Sequence, residues 1–196
     1  MNRLIFMLLT ALLMSPSAAT AQELLVNPGF DSGGTGWGSF GAAGFNDFFG
    51  GNEHASLFAD NVGNSGGVFQ TGIAGVAGLE YQFELSDTRI EANYDADLSY
   101  GLEFFLGDDS TKISEVLVAL PDPGVEVNGG VFDMTAVAPA GTVFVRPIIK
   151  FDNVFSSGSQ RNVFVFDASL TAVPEPSSFL LVGIACMASL CRTRGK

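Results

Sequence analysis

The chain has 196 residues, with 21 acidic against 9 basic side chains, one histidine, two cysteines, 24 glycines and 18 phenylalanines. Every acid lies between Glu23 and Glu175, where only Arg89, Lys112, Arg146, Lys150 and Arg161 oppose them, so this segment carries a formal −16. Nucleic acid and anionic lipid are poor partners for such a surface. Both cysteines, Cys186 and Cys191, fall near the C-terminus, which leaves the preceding chain without a thiol or a disulfide.

Met1-Asn2-Arg3 opens with a positive charge, Leu4 to Met14 is apolar apart from Thr10, and Ala19-Thr20-Ala21 has the small-x-small form of a cleavage site before Gln22. Residues 1–21 therefore read as a signal peptide, with an N-terminal anchor helix as the alternative. From Gln22 to Pro176 there remain roughly 155 residues, enough for one domain with a continuous core. The stretch Gly33 to Gly67 is rich in Gly, Asn and Phe without clear alternation, and predicts long loops where a binding surface would sit.

Beyond it, period-two alternation dominates. Leu79, Tyr81, Phe83 and Leu85 alternate with Glu80, Gln82, Glu84 and Ser86, and Leu98, Tyr100, Leu102, Phe104 and Leu106 alternate with smaller or polar neighbours. Further strands are predicted at Ile113 to Ala119, Val125 to Val127, Val131 to Thr135, Val143 to Phe151 and Asn162 to Thr171. Turns are predicted at Gly107-Asp108-Asp109, Pro121 to Gly124, Asn128-Gly129-Gly130 and Ala138 to Gly141, where Gly, Asn and Pro supply the required backbone angles. Many short strands with no helical stripe predict an all-β fold over 22–172, a two-sheet antiparallel β-sandwich or jelly roll. The phenylalanines are expected to fill the space between the sheets.

The last 24 residues, 173–196, differ in kind. Val173-Pro174-Glu175-Pro176 halts regular structure, Ser177 to Cys191 is uncharged, and Arg192, Arg194 and Lys196 close the chain. As a helix the 15 uncharged residues span about 22 Å, short of a hydrocarbon core of about 30 Å, and the cations would stay on the cytoplasmic side. A C-terminal helix buried in the domain is the alternative. The order Pro174-Glu175-Pro176, apolar helix, Arg192 and Arg194 resembles the sorting signal of PEP-CTERM proteins. That resemblance implies cutting by an exosortase-type transpeptidase of a Gram-negative bacterium, after transient membrane attachment, and a final place in the envelope, at the cell surface or in an exopolysaccharide matrix.

Three motifs within 24–171 resemble jelly-roll carbohydrate-binding modules and their galactose-binding-like relatives. Leu24-Leu25-Val26-Asn27-Pro28-Gly29-Phe30-Asp31 with Gly36-Trp37 is similar to their opening, Ala138-Pro139-Ala140-Gly141 through Arg146 to the entry of the penultimate strand, and Val163 to Leu170 to the closing strand. Pro28 stands where glycine is common and Asp31 where glutamate is common. The resemblance implies a structural calcium held by Asp31, Glu53 and Asp167, a role that suits hard carboxylate oxygens; solvated loop carboxylates are the alternative.

Catalysis has few candidates. His54 is the one histidine, no nucleophile motif lies near it, and the chain reads as a non-enzyme, with glycoside hydrolysis by paired carboxylates a remote alternative. For sugar stacking the rings to consider are Trp37, expected to pack against the sandwich as well as to be a ligand candidate, and Tyr94, which the polar connection Glu91 to Asp95 marks as the freest ring. Tyr81 and Tyr100 share parity with core residues. The function expected is structural or adhesive, with a specific carbohydrate-binding module as the alternative.

Overall fold

The structure is a computed structural model that describes residues 21–49, 53–59, 61–92, 94–107, 110–120, 125–155 and 162–173. The described residues form eleven strands: β1 (Trp37–Gly41), β2 (Ala43–Asn46), β3 (His54–Phe58), β4 (Gly66–Gln70), β5 (Ile73–Ala74), β6 (Glu80–Ile90), β7 (Asp97–Phe105), β8 (Lys112–Ala119), β9 (Val127–Val137), β10 (Phe144–Asp152) and β11 (Asn162–Val173). They pair antiparallel into two sheets. A six-stranded sheet runs β1-β4-β10-β7-β8, with β5 also on β10, and a five-stranded sheet runs β2-β3-β11-β6-β9. The expected all-β sandwich of two antiparallel sheets is what the chain adopts. The expected signal peptide, apart from Ala21, and the expected sorting residues Pro174, Glu175, Pro176, Arg192 and Arg194 lie outside the described residues.

The alternation sets which side chains meet between the sheets. Tyr81, Phe83, Leu85 and Ile90 from β6 and Val163, Val165, Ala168 and Leu170 from β11 point inward. Against them stand Leu98, Tyr100, Leu102 and Phe104 from β7 and Val145, Ile149 and Phe151 from β10. Phe83 and Phe104 are wholly buried, and truncating either to alanine costs about 3–5 kcal/mol. Pro147 occupies β10 where that strand passes from Phe69 of β4, opposite Ile148, to Ile73 of β5, opposite Val145. A residue without an N–H is tolerated there because no ladder partner faces it on that side.

Two expectations need correction. The Gly-rich stretch Gly33 to Gly67, expected to be long loops, contains β1, β2, β3 and the start of β4. Its glycines hide the alternation because they act as the small partners of large rings: a Cβ on Gly38 would lie 2.8 Å from Phe69 Cζ, and one on Gly67 would lie 2.8 Å from Phe40 Cε1. The expected turn Asn128-Gly129-Gly130 lies inside the single strand β9, which replaces two short predicted ones. Gly129 takes φ +70° opposite the irregularity between Thr88 and Ile90, next to a second one between Leu85 and Thr88 in which Asp87 has φ 49°. The glycine pair thus forms a bulge that lets the strand continue instead of reversing.

Candidate functional site

The opening motif builds a tight, internally bonded corner. Asn27 and Phe30 both adopt left-handed backbone angles, φ 56° and 54°. The Asn27 side chain holds the loop by donating from Nδ2 to Gly33 O (2.9 Å) and accepting at Oδ1 from Ser32 N (3.3 Å). Gln70, buried, clamps Val26 by accepting its N–H (2.8 Å) and donating to its carbonyl (2.9 Å), in the manner of a strand neighbour. Trp37 packs its ring 4.9 Å from that of Phe30 and donates from Nε1 to Asn27 O (3.2 Å). It is a buried pillar of the corner, the packing role weighed for it from sequence.

The corner brings Asp31 and Asp167 to one open cleft of about 470 Å³, lined also by Pro28, Gly29, Asp87 and Phe166. Ala168 N–H donates to Pro28 O (3.0 Å), which fixes the opening segment against β11. Ser86 Oγ donates to Asp167 Oδ2 (3.1 Å). Glu53 is not on this cleft; its carboxylate lies over Gly33, where an added Cβ would stand 3.0 Å from Oε2. The third acidic wall is instead Asp87, carried there by the β6 bulge. Among the described residues no group of three or more His, Cys, Asp or Glu side chains is placed to hold a metal ion. The expected ligands Asp31, Glu53 and Asp167 do not all line this cleft, since Glu53 lies against Gly33.

Tyr94 also departs from expectation. It is 2 % exposed and belongs to the core, so it offers no ring to a sugar. The polar residues around it describe the outside of a connection whose one aromatic turns inward. Burial pushes its hydroxyl pKa up, and that hydroxyl has no hydrogen-bond partner among the described residues. His54 is buried on β3 beneath Phe49, Phe164 and Phe166, with ring centroids 4.9–5.3 Å away.

The surface that sequence reasoning missed is the outer face of the six-stranded sheet. Phe69 lies over Gly38 and Phe40 over Gly67, with their ring centroids 6.3 Å apart. Phe40 is 39 % exposed. Beside them Arg146 is sandwiched between rings, its guanidinium carbon 4.2 Å from the Phe105 centroid and 5.1 Å from that of Phe69. Its Nε donates to Glu103 Oε2 (2.7 Å), and Lys112 Nζ donates to the other oxygen (3.0 Å). Glu103 is only 4 % exposed, and each of its oxygens accepts from a cationic donor, as a buried carboxylate requires. Lys150 pairs with Asp152 (2.9 Å) on the same face. Three of the four cations among the described residues thus gather here, each paired. The sequence signal was the repeated form Gly38-Ser39-Phe40 and Gly67-Val68-Phe69, glycine two residues before a ring on neighbouring strands.

No protein-family model matches the chain, and no curated protein matches it. Solved structures do share its fold. The enzymatically active domain of tailspike protein 4 of bacteriophage CBA120 superposes with a TM-score of 0.57 at 12 % identity over 77 % of this chain, and the chain spans about a fifth of that structure, 21 %. TmCBM61, solved in complex with beta-1,4-galactotriose, gives 0.50 at 15 % identity over 78 % of this chain and 99 % of that module. A family 16 carbohydrate-binding module gives 0.51 at 15 % identity over 75 % of this chain and 98 % of its own length. At such identities the likeness establishes the fold alone, a two-sheet β-sandwich.

Proposed function

We propose that this chain is an exported, surface-sorted β-sandwich that adheres to polysaccharide through the outer face of its six-stranded sheet, as part of the envelope or exopolysaccharide matrix. The observation that carries this reading is the pair Phe69 and Phe40, standing over Gly38 and Gly67 with their rings tilted by 41° to each other, beside the Glu103–Arg146–Lys112 cluster. Aromatic faces attract the polarised C–H groups of sugar rings, while the flanking charged groups supply hydrogen bonds to hydroxyls. Paired charges on this face and the formal −16 of the segment favour a neutral polysaccharide over an anionic one. The likeness to modules of which one was solved with a galactotriose supports the same reading.

The jelly-roll domain 22–172 would be delivered by the signal peptide 1–21 and the PEP-CTERM tail 173–196, whose Pro174-Glu175-Pro176 an exosortase-type enzyme would cut before Arg192 and Arg194 are discarded. Calcium belongs to this reading as a weak structural ion at the cleft of Asp31 and Asp167, with backbone and water oxygens completing its shell. Affinity electrophoresis in gels containing neutral polysaccharides tests the adhesive role. Phe40→Ala and Phe69→Ala should each weaken retardation about tenfold, or ~1.4 kcal/mol. Retardation unchanged in both variants would remove the surface from consideration. Mass spectrometry of surface-exposed protein should find Gln22 near the N-terminus and no peptide from Cys186 to Lys196.

A further inference from the structure

Strand β8 is the outermost strand of the six-stranded sheet and has hardly any share in the core. Of its eight residues Lys112, Ile113, Glu115, Val116, Val118 and Ala119 are exposed, and the remaining two are half-buried. Val116 and Val118 are each 38 % exposed. An edge rich in β-branched residues and regular from Ser114 to Ala119 is a template for another strand. The geometry of the ladder shows which groups it offers. Leu120 N–H donates to Leu98 O (2.9 Å), and the register continues as Tyr100 opposite Val118, Leu102 opposite Val116 and Phe104 opposite Ser114. Alternation along an antiparallel pair then directs the backbone groups of Ser114, Val116 and Val118 to β7. Those of Glu115, Leu117 and Ala119 point outward, and Ile113 is the extra residue of an irregularity opposite Phe104 and Phe105.

We propose that β8 pairs antiparallel with β8 of a second copy of this chain, about a two-fold axis at Val116. Two observations select this occupant. The first is charge: copies of a segment carrying a formal −16 repel one another except where acids are locally neutralised. On β8 and the strands beside it Lys112 serves Glu103 and Glu115, and Arg146 serves Glu103. The second is register. With Val116 opposite Val116, Glu115 faces Leu117 on both sides of the axis, so the regular outward backbone pairs are used, for about four main-chain hydrogen bonds. No carboxylate meets its own copy in this register. A shift of one step that puts Glu115 opposite Glu115 sets like charges against each other.

The other long edge is unsuited to the same role. β9 is interrupted twice against β6, where β8 is interrupted once near its start, and Glu126 before β9 and Asp133 within it add acid to a partner that is already acidic. Irregular, charged edges of this kind resist pairing. Joining two copies through β8 would run their six-stranded sheets into one surface, with the two Phe40 and Phe69 platforms on a common body. The pairing itself does not depend on what those platforms bind.

Analytical ultracentrifugation of the full chain in mild detergent, from about 1 to about 100 µM, should show a monomer–dimer equilibrium. Val116→Lys places two ammonium groups at the axis and should weaken association at least tenfold, an effect of about 1.4 kcal/mol or more. The side chain is exposed, so the circular dichroism spectrum should stay that of the parent. Val131→Lys, on β9, should dimerise as the parent does. In a Cys186→Ser, Cys191→Ser background, Val116→Cys should oxidise to a covalent dimer, because facing residues of a non-hydrogen-bonded pair lie about 4.5 Å apart between Cα atoms, within disulfide reach. A parent chain that stays monomeric over the whole range, or a Val116→Lys variant that dimerises like the parent, overturns the proposal. Failure of Val116→Cys to cross-link while the parent dimerises rejects this register and with it the axis.

Discussion

Glu103 is the one carboxylate of the described residues that is almost fully buried, and its removal tests the reading of the six-stranded face most sharply. Glu103→Ala leaves Arg146 over Phe105 without its counter-charge. For a fully buried pair, breaking one partner costs about 3–5 kcal/mol, whereas an exposed pair is worth about 0–1 kcal/mol. Arg146 keeps 23 % of its side chain accessible and Lys112 keeps 41 %, so both stranded cations can recover part of their hydration. An intermediate loss of about 2–3 kcal/mol follows. At about 2–4 °C per kcal/mol for a domain of this size, the melting temperature should fall by roughly 4–12 °C.

A double-mutant cycle separates the two partners. The coupling of Glu103 to Arg146 should exceed its coupling to Lys112, which at 41 % exposure should stay below about 1 kcal/mol. Thermal denaturation of Glu103→Ala, Arg146→Met, Lys112→Met and the two pairs supplies the numbers. Coupling to Lys112 equal to or greater than coupling to Arg146, or a loss under about 0.5 kcal/mol for Glu103→Ala, would refute the claim that burial between Phe105 and Phe69 gives this contact its strength.

Other consequences are as direct. Tyr94→Phe removes a buried hydroxyl that has no partner among the described residues, so stability should hold or rise by up to about 1 kcal/mol in urea unfolding, and a larger loss would mean the hydroxyl is bonded. Glu115 is held below the ordinary carboxylate range by the Lys112 hydrogen bond, and Lys112 is held above the ordinary lysine range first by that same bond. The contribution of Glu115 is thus present above its unfolded pKa and lost as pH falls through the depressed folded value. That of Lys112 is present below its unfolded pKa and lost as pH rises through the raised folded one. Because both side chains are about two-fifths exposed, Glu115→Gln should lower the neutral-pH melting temperature by no more than about 2 °C, with the gap closing in acid. Calcium should act only in the millimolar range, where tenfold excess over Kd gives about 1.4 kcal/mol and a rise of roughly 3–6 °C, and Asp167→Ala should abolish it; a rise at micromolar calcium would mean a full ligand set forms. Raising salt from about 0.1 to about 1 M should tighten β8 pairing, since it screens repulsion between acidic copies, and weakening would point to a contact made by opposite charges.

Legibility followed the physics of each residue type. The alternation in β6, β7, β10 and β11 declared those strands because each has one buried and one accessible face, and the parity of Tyr81 and Tyr100 declared their inward rings. β1 to β4 were hidden because glycine carries no hydrophobic signal, although Gly38 and Gly67 lie in strands for the sake of the rings above them. The bulge at Gly129 used the same residues a turn would use, and only the irregularity opposite, between Thr88 and Ile90, separates the two outcomes. Glu53 and Asp167 could not be told apart from a converging pair, since the direction a loop takes depends on tertiary contacts that no local pattern encodes. Tyr94 was read from its neighbours along the chain, whereas its burial is decided by the strands it reaches.

The charge distribution links these separate features. A domain so acidic has few cations to place, and a random placement would scatter the four described ones over both sheets. Three stand instead on one face, and the fourth, Arg89, pairs with Glu126 beside the rings of Phe49 and Phe164. On the six-stranded face the cations balance Glu103, Glu115 and Asp152, which leaves a nearly neutral, ring-bearing field within an anionic body. Local neutrality there lowers repulsion at contact distance, while the net charge still repels acidic polymers and other copies from farther away. The proposed short-range contacts, ring stacking on the platform and backbone pairing at the edge, both fall on this side. The same three cations therefore determine both where the molecule can be approached and how two copies can meet.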